Sequence, residues 1–124
     1  MSDIDVKDSI LASTKKMLGG LDPFEESPFD ADIIMQINGV FSILQQLGVG
    51  PTEGFSIEDS TTLWTDFSTD TIILNMVKPY MYAKVKLAFD ISSTPSSVIT
   101  ALTNQVSELE WRMNVHVDPG EDKT

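Results

Sequence analysis

The chain has 124 residues, a formal net charge of −11 and no cysteine. This length favours a single domain over residues 1–124, with a core too small to enclose a cofactor, and the lack of cysteine excludes disulfides and thiolate metal sites. No apolar run is long enough to span a membrane, and residues 1–15 lack the apolar core of a signal peptide. We therefore expect a soluble protein that stays inside the cell and has no membrane partner.

The charges are unevenly distributed along the chain. No basic residue lies between Lys16 and Lys78, an interval that holds ten carboxylates. Affinity for nucleic acids depends on lysine and arginine contacts with phosphate, so this pattern argues against specific nucleic-acid binding. Two interpretations stay open, namely an acidic surface that selects basic partners and one that is merely solvated.

A first helix is predicted over residues 6–18, and Gly19 and Gly20 end its pattern. The stretch LDPFEESPFD, residues 21–30, contains two prolines and is predicted to be an extended linker anchored by Phe24 and Phe29. The apolar positions of the helix recur at helical spacing: Val6, Ile10, Leu11, Thr14 and Leu18.

A second, longer helix is predicted near residues 30–47, with Asp30 as its N-cap. Gly48 comes straight after the last apolar residue, and Gly50 and Pro51 follow it, which indicates a tight turn that ends the helix. A phosphate-binding loop would have to precede a helix, and here the loop follows one without any Walker-type lysine. The apolar stripe of this helix consists of Ile33, Ile34, Ile37, Val40, Phe41, Leu44 and Leu47.

The middle of the chain predicts a short helix and then a long one. Asp59 or Ser60 is expected to cap about two helical turns that carry Leu63, Trp64 and Phe67. Residues 70–89 are apolar on almost every side, which is typical of a helix buried on more than one face. The helix would be kinked at its internal proline, Pro79; the alternative is a pair of strands broken there.

The last helix is predicted near residues 95–115, with Thr94 as N-cap and Pro95 in the first turn. Trp111 falls on the opposite, polar face, where it either covers a neighbouring helix or contacts another subunit. The core-facing stripe of the helix is Val98, Leu102, Val106, Leu109 and Met113.

These elements predict an all-α fold, a small bundle of four to five helices. The helical core extends over about residues 6–116, and the ends, 1–5 and 117–124, are expected to be disordered.

No catalytic constellation is evident. The single histidine, His116, lies where the last helix frays, and favourable contact with the C-terminal carbonyls of that helix accounts for it. The adjacent carboxylates around residues 25–32 lack the ligand spacing of a calcium loop. We expect no enzyme activity, no catalytic residue, no metal and no cofactor.

The chain resembles the head-tail connector, or adaptor, family of tailed bacteriophages over roughly residues 29–115. One difference is that this family usually has a proline pair after the aspartate that matches Asp90, whereas Ile91 and Ser92 follow here. The blocks that carry the resemblance are, in order, FDADIIMQINGVFSILQQLGVGPTEGFSI, LWTDF, VKPYMYAKVKLAFD and SELEWRMN.

The resemblance implies a structural protein whose copies form a ring at the head-tail junction of the virion. It also implies assembly in the cytoplasm of the infected bacterium, with the portal protein and a tail-side stopper or completion protein as partners. The acidic region would either line the channel, where it repels DNA, or dock on a basic partner. Candidate interface residues, each of which could also be intramolecular, are Phe55, Trp64, Lys78, Lys86, Trp111 and Arg112.

Two other functions share the negative charge. An acidic DNA mimic would occupy the basic groove of a host protein, but it would not need additional apolar surface. A tail-assembly chaperone would bind a tail protein transiently and would be missing from finished particles.

Overall fold

A computed structural model describes residues 4–89 and 94–117 of the chain. These residues form five helices and no strand, which confirms the all-α prediction. The predicted linker around Asp90 and most of the predicted disordered ends lie outside the described residues. The helices are α1 (Ile10–Leu18), α2 (Asp30–Gln46), α3 (Trp64–Phe67), α4 (Thr71–Phe89) and α5 (Ser96–Val117).

Helix α1 begins later than predicted because Ser9 caps it. The Ser9 hydroxyl accepts a hydrogen bond from Ala12 N at 3.1 Å and donates one to the carbonyl oxygen of Ser60 at 2.8 Å. Backbone hydrogen bonds from Ile10 N to Thr62 O and from Trp64 N to Asp8 O join the same two stretches. The start of α1 is thus fixed to the segment that leads into α3.

Helix α2 ends at a glycine in the left-handed conformation. Gly48 has a φ of 84°, its N–H donates to the carbonyl of Gln45, and the N–H of Val49 donates to that of Leu44 at 2.8 Å. These two hydrogen bonds define a Schellman motif, which satisfies the last carbonyls of the helix. The chain then continues through Gly50 and Pro51 to a segment without regular structure.

The start of α2 differs from the prediction. Asp30 is the first residue of the helix, and Phe29, at the cap position, makes no side-chain capping bond. Phe24 and Phe29 are both about half exposed, so these rings do not anchor the linker by burial as expected. The buried Lys15 holds this part of the linker instead, through a hydrogen bond to the carbonyl of Glu25.

Helix α3 is a single turn, shorter than predicted, and neither Asp59 nor Ser60 caps it. Asp66, its third residue, accepts a hydrogen bond from Leu63 N at 2.8 Å and so closes the turn from within. Asp59 instead accepts hydrogen bonds from both the N–H and the hydroxyl of Thr61.

Helix α4 is continuous through Pro79, so the alternative of two strands is wrong. It packs against α1, α2 and α5, which explains why it is apolar on several sides. Burial on these faces offsets the hydrogen bond that proline removes. The buried residues of α4 are Ile73, Leu74, Met76, Val77, Tyr80, Met81, Ala83 and Val85.

Helix α5 extends to Val117, two residues beyond the predicted end. Leu102, Leu109 and Met113 of the predicted stripe are buried against α4, but Val98 is 41 % exposed. The first turn of α5 therefore extends past the core, and the buried part of the stripe begins at Leu102.

Candidate interaction surfaces

Trp111 lies on the outward face of α5. Leu109 and Met113 on either side of it in sequence are buried, and this fixes the orientation of the helix. Trp111 is 67 % exposed, and Val115, one turn further along the same face, is 56 % exposed. Thr100, Asn104 and Ser107 continue this face toward the start of the helix, and all are uncharged and exposed. We call the surface formed by these five residues the α5 outer face; they are Thr100, Asn104, Ser107, Trp111 and Val115.

Arg112 borders the α5 outer face. Its guanidinium lies 3.7 Å from the carboxylate of Glu108, one turn earlier, and both side chains are more than half exposed. An exposed pair of this kind contributes little to stability, so Arg112 remains available to an approaching partner.

The inner side of α5 is fixed to α4 by polar contacts as well as by packing. The Tyr80 hydroxyl donates a hydrogen bond of 2.7 Å to Glu110, and burial, followed by this carboxylate, raises the pKa of Tyr80 above its usual value. Near the end of α5, His116 lies 3.8 Å from Asp70, which caps α4 through the N–H of Ile72. His116 thus faces a carboxylate of the neighbouring helix.

Phe55 and Trp64, two of the predicted interface residues, pack inside the subunit. Phe55 contacts Phe41 and Phe67 with ring centroids 5.0 and 5.3 Å apart, and Trp64 is only 3 % exposed. The Trp64 indole N–H donates to the Ser13 hydroxyl at 3.0 Å. Both rings therefore make contacts within the subunit, and a further interface role for either stays a prediction.

Lys78 and Lys86 are both half-buried on α4. The Lys78 ammonium lies 5.9 Å from the centroid of the Trp64 ring, in range for a cation–π contact. This contact places the positive charge of Lys78 at the surface directly above the core tryptophan.

Lys15, which was not among the predicted site residues, is the most deeply buried charge of the described residues. Its side chain is 1 % exposed, and its ammonium donates to the carbonyl of Glu25 at 2.8 Å and lies 2.8 Å from Asp30 Oδ1. That oxygen is buried and has no aligned hydrogen bond, so its contact with Lys15 is an ion pair. The sequence signal for this burial is that Lys15 follows Leu11 by four residues and so lies on the apolar face of α1.

The described residues contain no group of three histidines or carboxylates that could hold a metal ion. Among the helices of residues 4–89 and 94–117, none is long and apolar enough to cross a membrane. The prominent surface features are the exposed apolar side chains and the grooves beside them.

Comparison with known proteins identifies a family. A family model described as "Phage connector protein" matches residues 10–120, which is most of the chain and includes all five helices. No curated protein and no solved structure matches the chain significantly.

Proposed function

The chain belongs to the phage connector protein family and has a head-tail connector role, and on that premise we propose that its copies form a ring at the head-tail junction. The ring binds the portal protein on one side and presents a docking site for a tail-side stopper or completion protein on the other. Its mechanism is binding alone, without chemistry on a substrate.

The observation that carries this proposal is the α5 outer face. The large apolar ring of Trp111 is exposed in the single subunit, and burial against a second protein would remove it from water. Tryptophan is enriched at the centres of protein interfaces. The uncharged residues from Thr100 to Ser107 extend this surface along the helix in a chain whose net charge is −11. Glu108 and Arg112, whose charged groups lie 3.7 Å apart, border this surface, so a second copy of the chain meets little net charge there.

The acidic interval between Lys16 and Lys78 supports a second part of the proposal. A ring at this position surrounds the path of the DNA, and negative charge on its inner wall prevents the DNA from adhering. Facing outward, the same charge would instead attract basic surfaces of the portal or the tail-side protein. The two placements differ in the assembled particle. Acidic residues that dock on a partner are shielded from solvent, whereas acidic residues on the inner wall stay accessible to it.

Purified particles of the phage that encodes the chain provide the test. We expect mass spectrometry to find the protein in wild-type virions, and complementation with Trp111→Ala to lower its incorporation. Met35→Ala is the matched control, because Met35 is equally exposed at 66 % but lies on α2. Absence of the wild-type protein from virions would contradict the proposal and favour a chaperone. A monomeric free protein would not contradict it, because rings can form on a portal template.

A further inference from the structure

A groove of about 250 Å³ lies beside α1. Its lining is mostly apolar and includes Met17, which is 47 % exposed, and the buried Trp64. The volume is below the usual range for small-molecule sites, and it suits a single inserted side chain better than a ligand.

The rim of this groove concentrates the positive charge of an acidic protein. Three of the eight basic residues of the chain, Lys7, Lys16 and Lys78, line it. Lys7 already lies 3.4 Å from the exposed carboxylates of Asp5 and Asp8. The charge that remains for a partner thus comes mainly from Lys16 and Lys78.

An acidic segment with an exposed aromatic ring lies on the other side of the same helix. Phe24 is 45 % exposed, and Asp22, Glu25 and Glu26 around it are exposed as well. This segment, residues 22–26, is complementary to the groove in both respects, since it offers an apolar side chain surrounded by negative charge. We call it the acidic ridge.

The acidic ridge is already held in place before any partner binds. The carboxylate of Asp22 accepts hydrogen bonds of 3.0 Å from the N–H groups of Phe24 and Glu25. The buried Lys15 binds the carbonyl of Glu25 from below. A segment fixed in this way loses little conformational entropy on docking, which favours affinity.

The groove and the acidic ridge cannot neutralise each other within one subunit. Ser13 and Met17 of α1 line the groove, whereas Leu11 and Lys15 of the same helix lie with Phe24 at a separate depression. At about 100° per residue these two pairs lie on nearly opposite faces of α1. Complementary surfaces on opposite sides of one helix can meet only between copies, in a head-to-tail contact of the kind that generates rings.

We propose that the acidic ridge of one copy docks in the groove of the next. Phe24 enters between Met17 and Trp64, and Glu25 and Glu26 pair with Lys16 and Lys78. This contact rests on the proposed ring assembly and forms part of the lateral interface that repeats around the ring.

Disulfide trapping tests this contact even if it is weak, because the chain has no cysteine of its own. We expect a mixture of Met17→Cys and Phe24→Cys proteins, one of them isotope-labelled, to form the mixed dimer in several-fold excess over either homodimer at about 1 mM protein. Met35→Cys, at a similarly exposed methionine on α2, replaces Phe24→Cys in the control mixture. A mixed yield no higher than that of the control would overturn the proposal.

Charge reversal tests whether the lysines and glutamates carry the contact. Adding Lys16→Glu and Lys78→Glu to the Met17→Cys protein should lower the mixed yield to the control level. Combining it with a Phe24→Cys protein that also carries Glu25→Lys and Glu26→Lys should restore the yield. A yield that ignores these changes would overturn the charge pairing, provided that circular dichroism shows the variants folded.

The outcome is separable from that of the proposed function. If no cross-link forms but the protein is present in virions, the connector ring stands and this contact is wrong. If the cross-link forms but the protein is absent from virions, the contact is real and the virion role is wrong.

Discussion

The ammonium of Lys15 and the carboxylate of Asp30 lie 2.8 Å apart, with only 1 % of the lysine side chain exposed. This ion pair joins α1 to the first residue of α2 and secures the linker between them. Removing one partner of such a pair leaves a charge without compensation in a region that excludes water. The pair is therefore a sensitive point for the stability of the subunit.

We expect Asp30→Asn to lower the free energy of unfolding by about 3 kcal/mol, because the Lys15 ammonium loses its counter-ion. Asp32→Asn is the control, since Asp32 also lies in the first turn of α2 but is exposed. Urea denaturation followed by circular dichroism measures both. Adding Lys15→Met to Asp30→Asn should recover much of the loss, and equal effects of the two asparagine variants would contradict this assignment.

We expect Gly50→Ala to destabilise the subunit by about 2 kcal/mol or more. Gly50 has a φ of 90°, and a Cβ there would lie 2.4 Å from the Phe67 ring, so both backbone strain and a clash oppose the change. Gly39→Ala provides the contrast, because Gly39 lies in α2 with open space around it. That variant should gain up to about 1 kcal/mol from helix propensity. Thermal unfolding of the two proteins should show melting temperatures that change in opposite directions.

The two tryptophans should differ sharply on truncation. Trp64→Ala removes a ring that is 3 % exposed and should cost about 3 to 5 kcal/mol, whereas Trp111→Ala, at 67 % exposure, should change stability by no more than about 0.5 kcal/mol. Equilibrium unfolding of each variant measures the difference. Acrylamide quenching of a Trp64→Phe protein provides an independent check, because the remaining Trp111 emission should be quenched readily. Loss of the fold in Trp111→Ala would place this side chain in the core.

Tyr80 should make stability depend on alkaline pH. Burial, with the neighbouring Glu110 carboxylate, raises the pKa of its hydroxyl in the folded state, so the native protein holds this proton more tightly than the unfolded chain does. The stabilisation that the protonated Tyr80 hydroxyl contributes is fully present below the pKa of about 10 that tyrosine has in the unfolded chain. It is lost as the pH rises above that value. Tyr80→Phe removes the dependence. Denaturation between about pH 9 and pH 11 should therefore show a steeper decline for the wild type, and parallel declines would contradict the assignment.

Local patterns in the sequence predict most of the helical architecture, because apolar spacing and glycine or proline punctuation act over short distances. The three long helices lie within two residues of their predicted positions, and Gly48 ends α2 through backbone geometry that only a few residues adopt. The predicted length of α3 was too great, because the helix is capped by Asp66 inside its single turn and not by Asp59 before it.

Features that depend on distant parts of the chain were not predictable in the same way. Lys15 is buried because Asp30 and Glu25 reach it from the next segment, and no local rule indicates that pairing. Helical spacing already placed Trp111 off the core stripe of α5, but the burial of Trp64 depends on the packing of α1 and α4 around it. Lys16 of α1 and Lys78 of α4 line one groove for the same reason.

The attachment of α1 to the segment before α3 has a consequence for the order of folding. The hydrogen bond from Ser9 to Ser60 connects residues 51 positions apart, and backbone bonds beside it reach Trp64. On the ribosome, where roughly 5 to 20 residues are added each second, the N-terminal end of α1 lacks these hydrogen bonds for several seconds, although Asp30 can already pair with Lys15. The cap of the first helix is therefore completed only after about half of the chain has been synthesised.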